Sequence, residues 1–128
     1  MKVLLDTCTF LWLTHDAPEL SEGVKEIFTE IANEVYLSVV SVWEITVKHK
    51  LGKLPLPDVP LTFVKQQRAI YSIETLPLSE TVLQHLLTLP DYHRDPFDRM
   101  LICQALEHDL VILTSDELIR RYPVKTFW

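Results

Sequence analysis

Glycine and cysteine are both rare in this chain. The two glycines among its 128 residues, Gly23 and Gly52, form neither a GxGxxG nor a GxxxxGK[ST] pattern, which argues against a glycine-lined nucleotide loop. The two cysteines, Cys8 and Cys103, form no CxxC pair and suggest no disulfide framework, and we expect both thiols to be buried. A GxSxG nucleophile elbow and an HExxH zinc motif are also absent, so serine hydrolysis and zinc chemistry have little support.

Basic charge and long apolar runs are lacking as well. The 12 lysines and arginines are outnumbered by 18 acids, and the net charge of −6 has the wrong sign for a broad basic face that holds nucleic acid. A polyanionic partner would have to be contacted locally or through metal ions. No apolar run is long enough to span a membrane, and Asp6 interrupts the first apolar run before it could form a signal-peptide core. We therefore expect a cytoplasmic protein with no membrane contact.

What the chain does contain is a regular alternation of strand-like and helix-like segments. Short apolar runs predict strands, the last of them at a sheet edge, at residues 2–5, 35–39, 71–76, 110–114 and 124–128. Helical spacing between them predicts helices near residues 7–14, 21–32, 42–51, 61–70, 79–89 and 96–108. This alternation indicates an α/β fold with a mostly parallel sheet, and the length and 48% hydrophobic content suit one domain over residues 1–128.

One stretch, HRDPFDR at residues 93–99, has the form of a helix start. Asp95 is a good N-cap residue and Pro96 is well placed at the first helical position. Asp98 then falls at the third position, where the positive end of the helix dipole favours a carboxylate. A well-capped helix is the ordinary reading of this stretch, and we take Asp95 mainly as the cap.

Four acids from distant parts of the chain are predicted to lie at one edge of the sheet. Asp6 follows the first strand and Asp116 follows the fourth, and ligands of open parallel sheets bind beyond the carboxyl ends of the strands. Glu44 and Asp98 stand in the first turns of helices that could open at the same edge. Converging carboxylates repel one another unless a cation neutralises them. Hard oxygen ligands select Mg²⁺ or Mn²⁺, and such a site suits hydrolytic phosphoryl transfer.

Each acid also has a structural reading, which stays open at this point. Asp6 could be a turn residue at the end of its strand. Glu44 could be the partner of Ser41 in a capping box. Asp116 could be the N-cap of the turn that follows it.

The one basic cluster of the sequence follows Glu44, at residues 48–53. Glu44 and Lys48 have i,i+4 spacing, and cations suit a helix C-terminus, so an ordinary helix end is one reading. The other is a local patch that contacts phosphate beside the acids, helped by Arg94 and Arg99.

Together these residues resemble the PIN-domain family, and within it the VapC-type toxins of bacterial toxin–antitoxin pairs. The resemblance covers nearly the whole chain: LLDT at residues 4–7, SVWEI at 41–45 with Lys48 following, HRDPFDR at 93–99 and TSD at 114–116. The heptapeptide is a specific signature of this family when the other three segments occur in the same order along the chain. The resemblance implies a three-layer α/β/α sandwich with a central, mostly parallel sheet, and a metal-dependent endoribonuclease.

The resemblance also implies which residues form the site. The acidic site falls on Asp6, Glu44, Asp98 and Asp116. Of these, Asp6, Asp98 and Asp116 would hold Mg²⁺ or Mn²⁺, and Glu44 would complete the site or orient the attacking water. Thr7 and Ser115 match small hydroxyl positions beside the acids, where they would orient ligands or waters.

The implied partners are an RNA substrate, a cognate antitoxin protein and a second copy of the chain in a homodimer. Apolar residues around Trp12, Phe28 and Phe63 could supply a groove for the antitoxin, although each suits plain core equally well. Two other functions remain open. A receiver-like signalling module would want an acid at the end of its middle strand, and the third strand ends in Leu76. A catalytically inactive protein- or RNA-binding module would not need all four acids.

Overall fold

The computed structural model describes residues 1–128 and contains five strands, five α-helices and two 3₁₀ helices. The strands are β1 Lys2–Leu5, β2 Glu34–Ser38, β3 Ile73–Leu76, β4 Val111–Leu113 and β5 Thr126–Phe127. The α-helices are α1 Thr7–Thr14, α2 Glu22–Thr29, α3 Val39–Lys50, α4 Pro60–Tyr71 and α5 Pro96–His108, and the 3₁₀ helices are Glu80–Leu87 and Ile119–Arg121. None of the helices combines the length and the apolar character that a membrane-spanning segment needs.

All five strands are parallel and lie in the order β3-β2-β1-β4-β5. β2 and β3 lie on one side of β1, and the chain then crosses over to place β4 and β5 on the other side. The direction in which strands are added therefore reverses between β1 and β4. In open α/β sheets the crevice at such a reversal, beyond the carboxyl ends of the strands, is where ligands bind. Leu5 lies opposite Leu113 in the register, which places Asp6 and Thr114 side by side at that crevice.

Alternate residues of β1 face two different cores. Val3 and Leu5 belong to a cluster with residues of α1, α2 and α4, whereas Leu4 belongs to a cluster with residues of α5. Because successive strand residues point to opposite faces, a strand that is buried on both sides has to be apolar throughout. The predicted three-layer α/β/α arrangement with a parallel sheet is confirmed.

Helix starts follow the predicted caps at residues 21 and 95 and not at residues 41 and 79. Ser21 caps α2 and Asp95 caps α5, the latter by accepting a hydrogen bond from the Phe97 amide at 2.8 Å. The predicted capping box of Ser41 and Glu44 is wrong. β2 runs directly into α3, so Ser38 is the cap and accepts from the Val40 amide.

The end of α2 also differs from the prediction. The helix ends at Thr29, three residues early, because the Asn33 side chain donates to the carbonyl of Ile27 and satisfies it in place of a further turn. Ile31, which the periodicity placed on the apolar face, is 98% exposed. The segment predicted as a helix at 79–89 is a 3₁₀ helix, and Ser79 makes no side-chain cap bond to it.

A buried polar bridge fixes the two helices that carry Glu44 and Asp98. The Ser38 hydroxyl, at the start of α3, donates to Gln104 Oε1 of α5 at 2.5 Å. Gln104 Nε2 in turn donates to the carbonyl of Pro77, just after β3. Gln104 is fully buried, and its polar atoms are paired as burial requires. The bridge therefore ties the start of α3 to the third turn of α5 and to the end of β3.

Candidate active site

The carboxyl ends of β1 and β4 open into an acidic pocket of about 270 Å³. Its lining consists of Asp6, Thr7, Cys8, Trp12, Glu44, Lys48, Asp95, Asp98, Ser115 and Asp116. All four acids singled out in the sequence thus line one pocket, at the place where the strand order reverses. Asp95 is a fifth acid there, and Lys48 is the one cation among the lining residues.

Asp6 is buried at the end of β1 and is held by both carboxylate oxygens. Oδ1 accepts from the Thr9 amide at 2.8 Å, which makes Asp6 the N-cap of α1, and Oδ2 accepts from the Thr114 hydroxyl at 2.5 Å. Thr114 Oγ1 also accepts from the Asp116 amide at 3.0 Å. Burial raises the pKa of Asp6 above its usual value, although these hydrogen bonds oppose the shift. Thr114 therefore ties two of the acids together.

Glu44 projects from the second turn of α3 and is also fully engaged. The Thr7 hydroxyl, which lies 2.9 Å from the Ser41 hydroxyl, donates to Glu44 Oε1 at 2.7 Å. Lys48 Nζ donates to Oε2, and this hydrogen bond raises the pKa of Lys48. The i,i+4 ion pair expected from the sequence is present, but it lies at the pocket and not only at a helix end.

Asp98 and Asp116 meet at the ring of His93. His93 Nε2 lies 3.0 Å from Asp98 Oδ2 and 3.1 Å from Asp116 Oδ2. Asp116 Oδ1 accepts from the Leu118 amide at 2.8 Å, so Asp116 also stabilises the turn that follows it. His93 Nε2 and the carboxylate oxygens of Asp98 and Asp116 all lie within 4.8 Å of one another, so the two carboxylates are close enough to bind one metal ion.

Asp98 also has a strongly perturbed environment. Burial, followed by the nearby charges of Asp95 and Glu44, raises the pKa of Asp98 from 3.8 to about 7, although His93 opposes the shift. Like charges that share a low-dielectric site disfavour one another's ionisation. A cation bound among them would remove that cost.

The donor set fits a hard divalent cation. Six of the eight carboxylate oxygens of the four acids accept a hydrogen bond from the protein, and a seventh, Asp98 Oδ2, lies 3.0 Å from His93 Nε2, so the directions of these oxygens are fixed. The eighth, Asp98 Oδ1, has no protein partner and is not sealed from solvent. Each engaged oxygen still has a second lone pair. Mg²⁺ and Mn²⁺ prefer oxygen ligands, and here oriented carboxylates surround an oxygen, Asp98 Oδ1, that faces solvent.

A family model described as "PIN domain" matches residues 3–125. The chain belongs to the PIN domain family. Two relatives from Mycobacterium tuberculosis agree with this membership. Ribonuclease VapC22 is 26% identical over 121 residues, 94% of this chain and 91% of the relative. Ribonuclease VapC16 is 38% identical over 56 residues, and that match spans 41% of this chain and 40% of the relative.

Among solved structures, this PIN domain is similar to VapBC2 from Rickettsia felis bound to a DNA fragment from their promoter. The TM-score is 0.75, and the alignment covers 99% of this chain and 98% of the other. The sequence identity is 12%, so the likeness concerns the fold. It agrees with the parallel sheet and the three layers described above.

The two arginines predicted to position substrate do not line the acidic pocket of this PIN domain. Arg99 donates to the carbonyl of Pro90 at 2.9 Å and to that of His93 at 3.4 Å, and it pairs with Asp91 at 3.3 Å. Its contacts thus support the loop that carries His93. Arg94 is exposed on that loop. Their role toward substrate stays a prediction.

Two residues at the site were not among the predicted site residues. Thr114 follows β4 directly beside Asp6, and only the parallel register of β1 and β4 reveals this neighbour. His93 was expected from its place in the heptapeptide to lie beside the pocket, but its contacts with Asp98 and Asp116 could not be read from that position. Ser115, which was predicted, lines the pocket without the hydrogen bonds that Thr114 makes.

Two expectations about other side chains are wrong. Cys8 is exposed rather than buried and lines the pocket mouth, where partial burial and the charge of Asp6 raise the pKa of its thiol to about 11. Only Cys103 is a buried thiol. Trp12, Phe28 and Phe63 do not form one groove, because each lines a different cleft.

Proposed function

We propose that this chain acts as a single PIN domain over residues 1–128 and is a metal-dependent endoribonuclease, the toxin of a toxin–antitoxin pair. The observation that carries the proposal is the convergence of four carboxylates from four elements in one pocket at the reversal of strand order. Two relatives are named ribonucleases, which supports RNA as the substrate.

The proposed roles follow from the environment of each acid. Asp6, Asp98 and Asp116 hold Mg²⁺ or Mn²⁺, and such an ion supplies Lewis-acid activation of water and neutralises charge at the phosphate. Glu44 orients the attacking water, since Thr7 and Lys48 hold both of its oxygens in fixed directions. The hydroxyls of Thr7 and Ser115 lie in the pocket lining, where they can contact a ligand or water.

The net charge of −6 limits how RNA is held. Lys48 lies in the pocket, and Lys50, Lys53 and Arg94 are exposed on the nearby sequence segments. These cations, with Arg99 supporting the loop of Arg94, form at most a local phosphate-contacting patch. We therefore propose that the affinity for RNA depends strongly on the bound metal and only modestly on a basic surface.

The proposed partners are a cognate antitoxin and a second copy of this chain, and the proposed compartment is the cytoplasm. The resemblance to VapC-type toxins and the similarity to a chain of the Rickettsia felis VapBC2 structure support an antitoxin partner. Multi-angle light scattering of the purified chain, alone and coexpressed with the product of a neighbouring small reading frame, would measure both associations. A monomer in both samples would contradict this part of the proposal.

The strand order does not support the receiver-like alternative. The central strand is β1, not β3, so the argument from Leu76 at the end of β3 was misplaced. Receiver proteins have the order 2-1-3-4-5, whereas this sheet has the order 3-2-1-4-5.

Cleavage of mixed cellular RNA by Asp6→Asn tests the function directly. We expect discrete cuts by the wild-type protein with Mg²⁺ or Mn²⁺, none with EDTA, and a loss of at least about 100-fold in rate for Asp6→Asn. Asparagine can still cap α1 through its carbonyl oxygen, so the fold should persist although one ligand charge is lost. The measurement is the initial rate of cleavage of a single labelled fragment.

The matched control is Asp109→Asn, the same chemical change at an exposed residue with a left-handed backbone that asparagine tolerates. Asp109→Asn should cleave at the wild-type rate. Cleavage that survives both EDTA and Asp6→Asn would contradict the four-acid site. A folded, Mn²⁺-binding protein that cuts no RNA would favour a catalytically inactive binding module.

Metal affinity should depend on pH through Asp98. The pKa of Asp98 is about 7 in the metal-free protein, so a proton competes with the ion below that pH. We expect the apparent Kd for Mn²⁺ to rise about tenfold between about pH 8 and pH 6, and to level off above pH 8. Calorimetric titration in matched buffers measures this dependence, and a constant Kd over the range would contradict the assignment of Asp98 as a ligand.

A further inference from the structure

We propose that His93 is a positioning residue that holds Asp98 and Asp116 in the geometry for metal binding, because its Nε2–H lies between the two carboxylates and donates a hydrogen bond to Asp116. The inference rests on the proposed metal site. It concerns a residue that contributes no ligand atom of its own.

The hydrogen bonds of the ring fix its tautomer. His93 Nδ1 lies 3.1 Å from the backbone nitrogen of Asp95, whose N–H donates to it. A ring nitrogen that accepts an N–H carries no proton, so the proton of the neutral imidazole is on Nε2. Nε2 therefore donates to Asp116 Oδ2 at 3.1 Å, lies 3.0 Å from Asp98 Oδ2, and has no lone pair to offer an ion.

The residue is anchored on its backbone as well. Its N–H donates to the buried hydroxyl of Tyr122 at 2.8 Å, and its carbonyl accepts from Arg99 at 3.4 Å. The His93 side chain is only 11% exposed. The ring is held at Nδ1, and the backbone N–H and carbonyl of His93 are held as well. Movement of the ring out of the site would break several of these hydrogen bonds, so we infer that it stays when an ion binds.

The contact with His93 Nε2 fixes the orientation of the carboxylates of Asp98 and Asp116. Oδ2 of each acid faces Nε2, and Asp116 Oδ1 faces the Leu118 amide. Asp98 Oδ1 is then the one oxygen left without a protein donor. Without the N–H group that lies between them, the two carboxylates would repel each other and separate. Groups that orient metal ligands in this way are typically worth 10- to 100-fold in metal affinity.

Two substitutions distinguish the role of Nδ1 from the role of Nε2. His93→Asn keeps a polar group near the position of Nδ1 and removes the donor at Nε2, whereas His93→Gln carries an amide N–H about as far as Nε2. We expect the Kd for Mn²⁺, measured by calorimetry without RNA, to rise about 10- to 100-fold for His93→Asn and to stay within about threefold for His93→Gln. His108→Asn, at the exposed end of α5, is the control and should bind like the wild-type protein.

The outcomes separate this inference from the proposed function. If wild-type protein does not bind Mn²⁺, the metal site itself fails and the inference fails with it. If wild-type and His93→Asn bind equally well, the metal site stands and the positioning role is overturned. Tighter binding by His93→Asn would also overturn it, since the imidazole would then compete with the ion.

A second readout tests the tautomer independently of metal affinity. Long-range ¹H–¹⁵N correlation of the histidine side chains in metal-free protein should show His93 protonated at Nε2 and not at Nδ1. A proton on Nδ1 would contradict the inference. Circular dichroism of each variant checks that a change in Kd does not come from loss of the fold.

Discussion

Asp98→Asn is expected to abolish RNA cleavage and, in the same protein, to raise the melting temperature measured in EDTA. The loss of activity follows from the removal of the proposed ligand whose Oδ1 is, among the oxygens of the four acids, the one without a protein partner. Loss of a preorganised charge at such a site costs on the order of 100- to 1000-fold in rate. The gain in stability follows from the removal of a charge that the metal-free fold disfavours.

The sign of the stability change depends on pH. Folding raises the pKa of Asp98 from 3.8 to about 7, so the native state binds more protons than the unfolded state between these values. The stability of the metal-free wild-type protein therefore falls as the pH rises through this window. Asparagine is uncharged throughout, and its carbonyl oxygen can still accept from His93. The advantage of Asp98→Asn should grow from about pH 4 to pH 7 and then stay constant, at about 1–3 kcal/mol.

Thermal unfolding of Asp98→Asn and wild-type protein in EDTA at several pH values measures this difference in stability. At neutral pH we expect the melting temperature of the variant to be higher by several degrees. Asp109→Asn, an exposed acid on the far end of α5, should change neither the rate of cleavage nor the melting temperature by a measurable amount. A lower melting temperature for Asp98→Asn at neutral pH would show that Asp98 stabilises the fold, contrary to the environment described here.

Ile45→Ala is expected to lower the free energy of unfolding by about 2–5 kcal/mol. Ile45 follows Glu44 on α3, is fully buried and packs in the core cluster shared by β1, α1 and α4. Truncation removes apolar contacts and leaves a cavity that neighbouring secondary structure cannot fill without moving. Because native domains are stable by about 5–15 kcal/mol, this one change removes a large part of the total.

The sequence offers a control with the identical chemical change. Ile31, just beyond α2, is 98% exposed, so Ile31→Ala should alter the free energy of unfolding by no more than about 0.5 kcal/mol. Urea unfolding followed by circular dichroism measures both variants. Equal effects at the two positions would contradict the assignment of Ile45 to the core and the orientation of α3 beneath the acids.

Local patterns gave correct predictions where a local interaction decides the structure. Asp95-Pro96 starts α5 because a cap and a first-turn proline act within three residues. The apolar run at residues 2–5 forms a strand buried on both faces. The Ser41–Glu44 pattern was equally local and failed, because β2 continues into α3 and Ser38, which pairs with Gln104, takes over as the cap. A distant partner thus outweighed a short-range motif.

The sequence by itself determined the α/β class and the family resemblance and singled out the four acids that line one pocket, since periodicity, caps and motif order are all properties of neighbouring residues. Only the tertiary structure decided the strand order, the meeting of Asp6 with Thr114, and the place of His93 between Asp98 and Asp116. The Asp6–Thr114 contact joins residues 108 positions apart. Such contacts depend on the register between parallel strands and on where each helix begins, and no stretch of neighbouring residues records either.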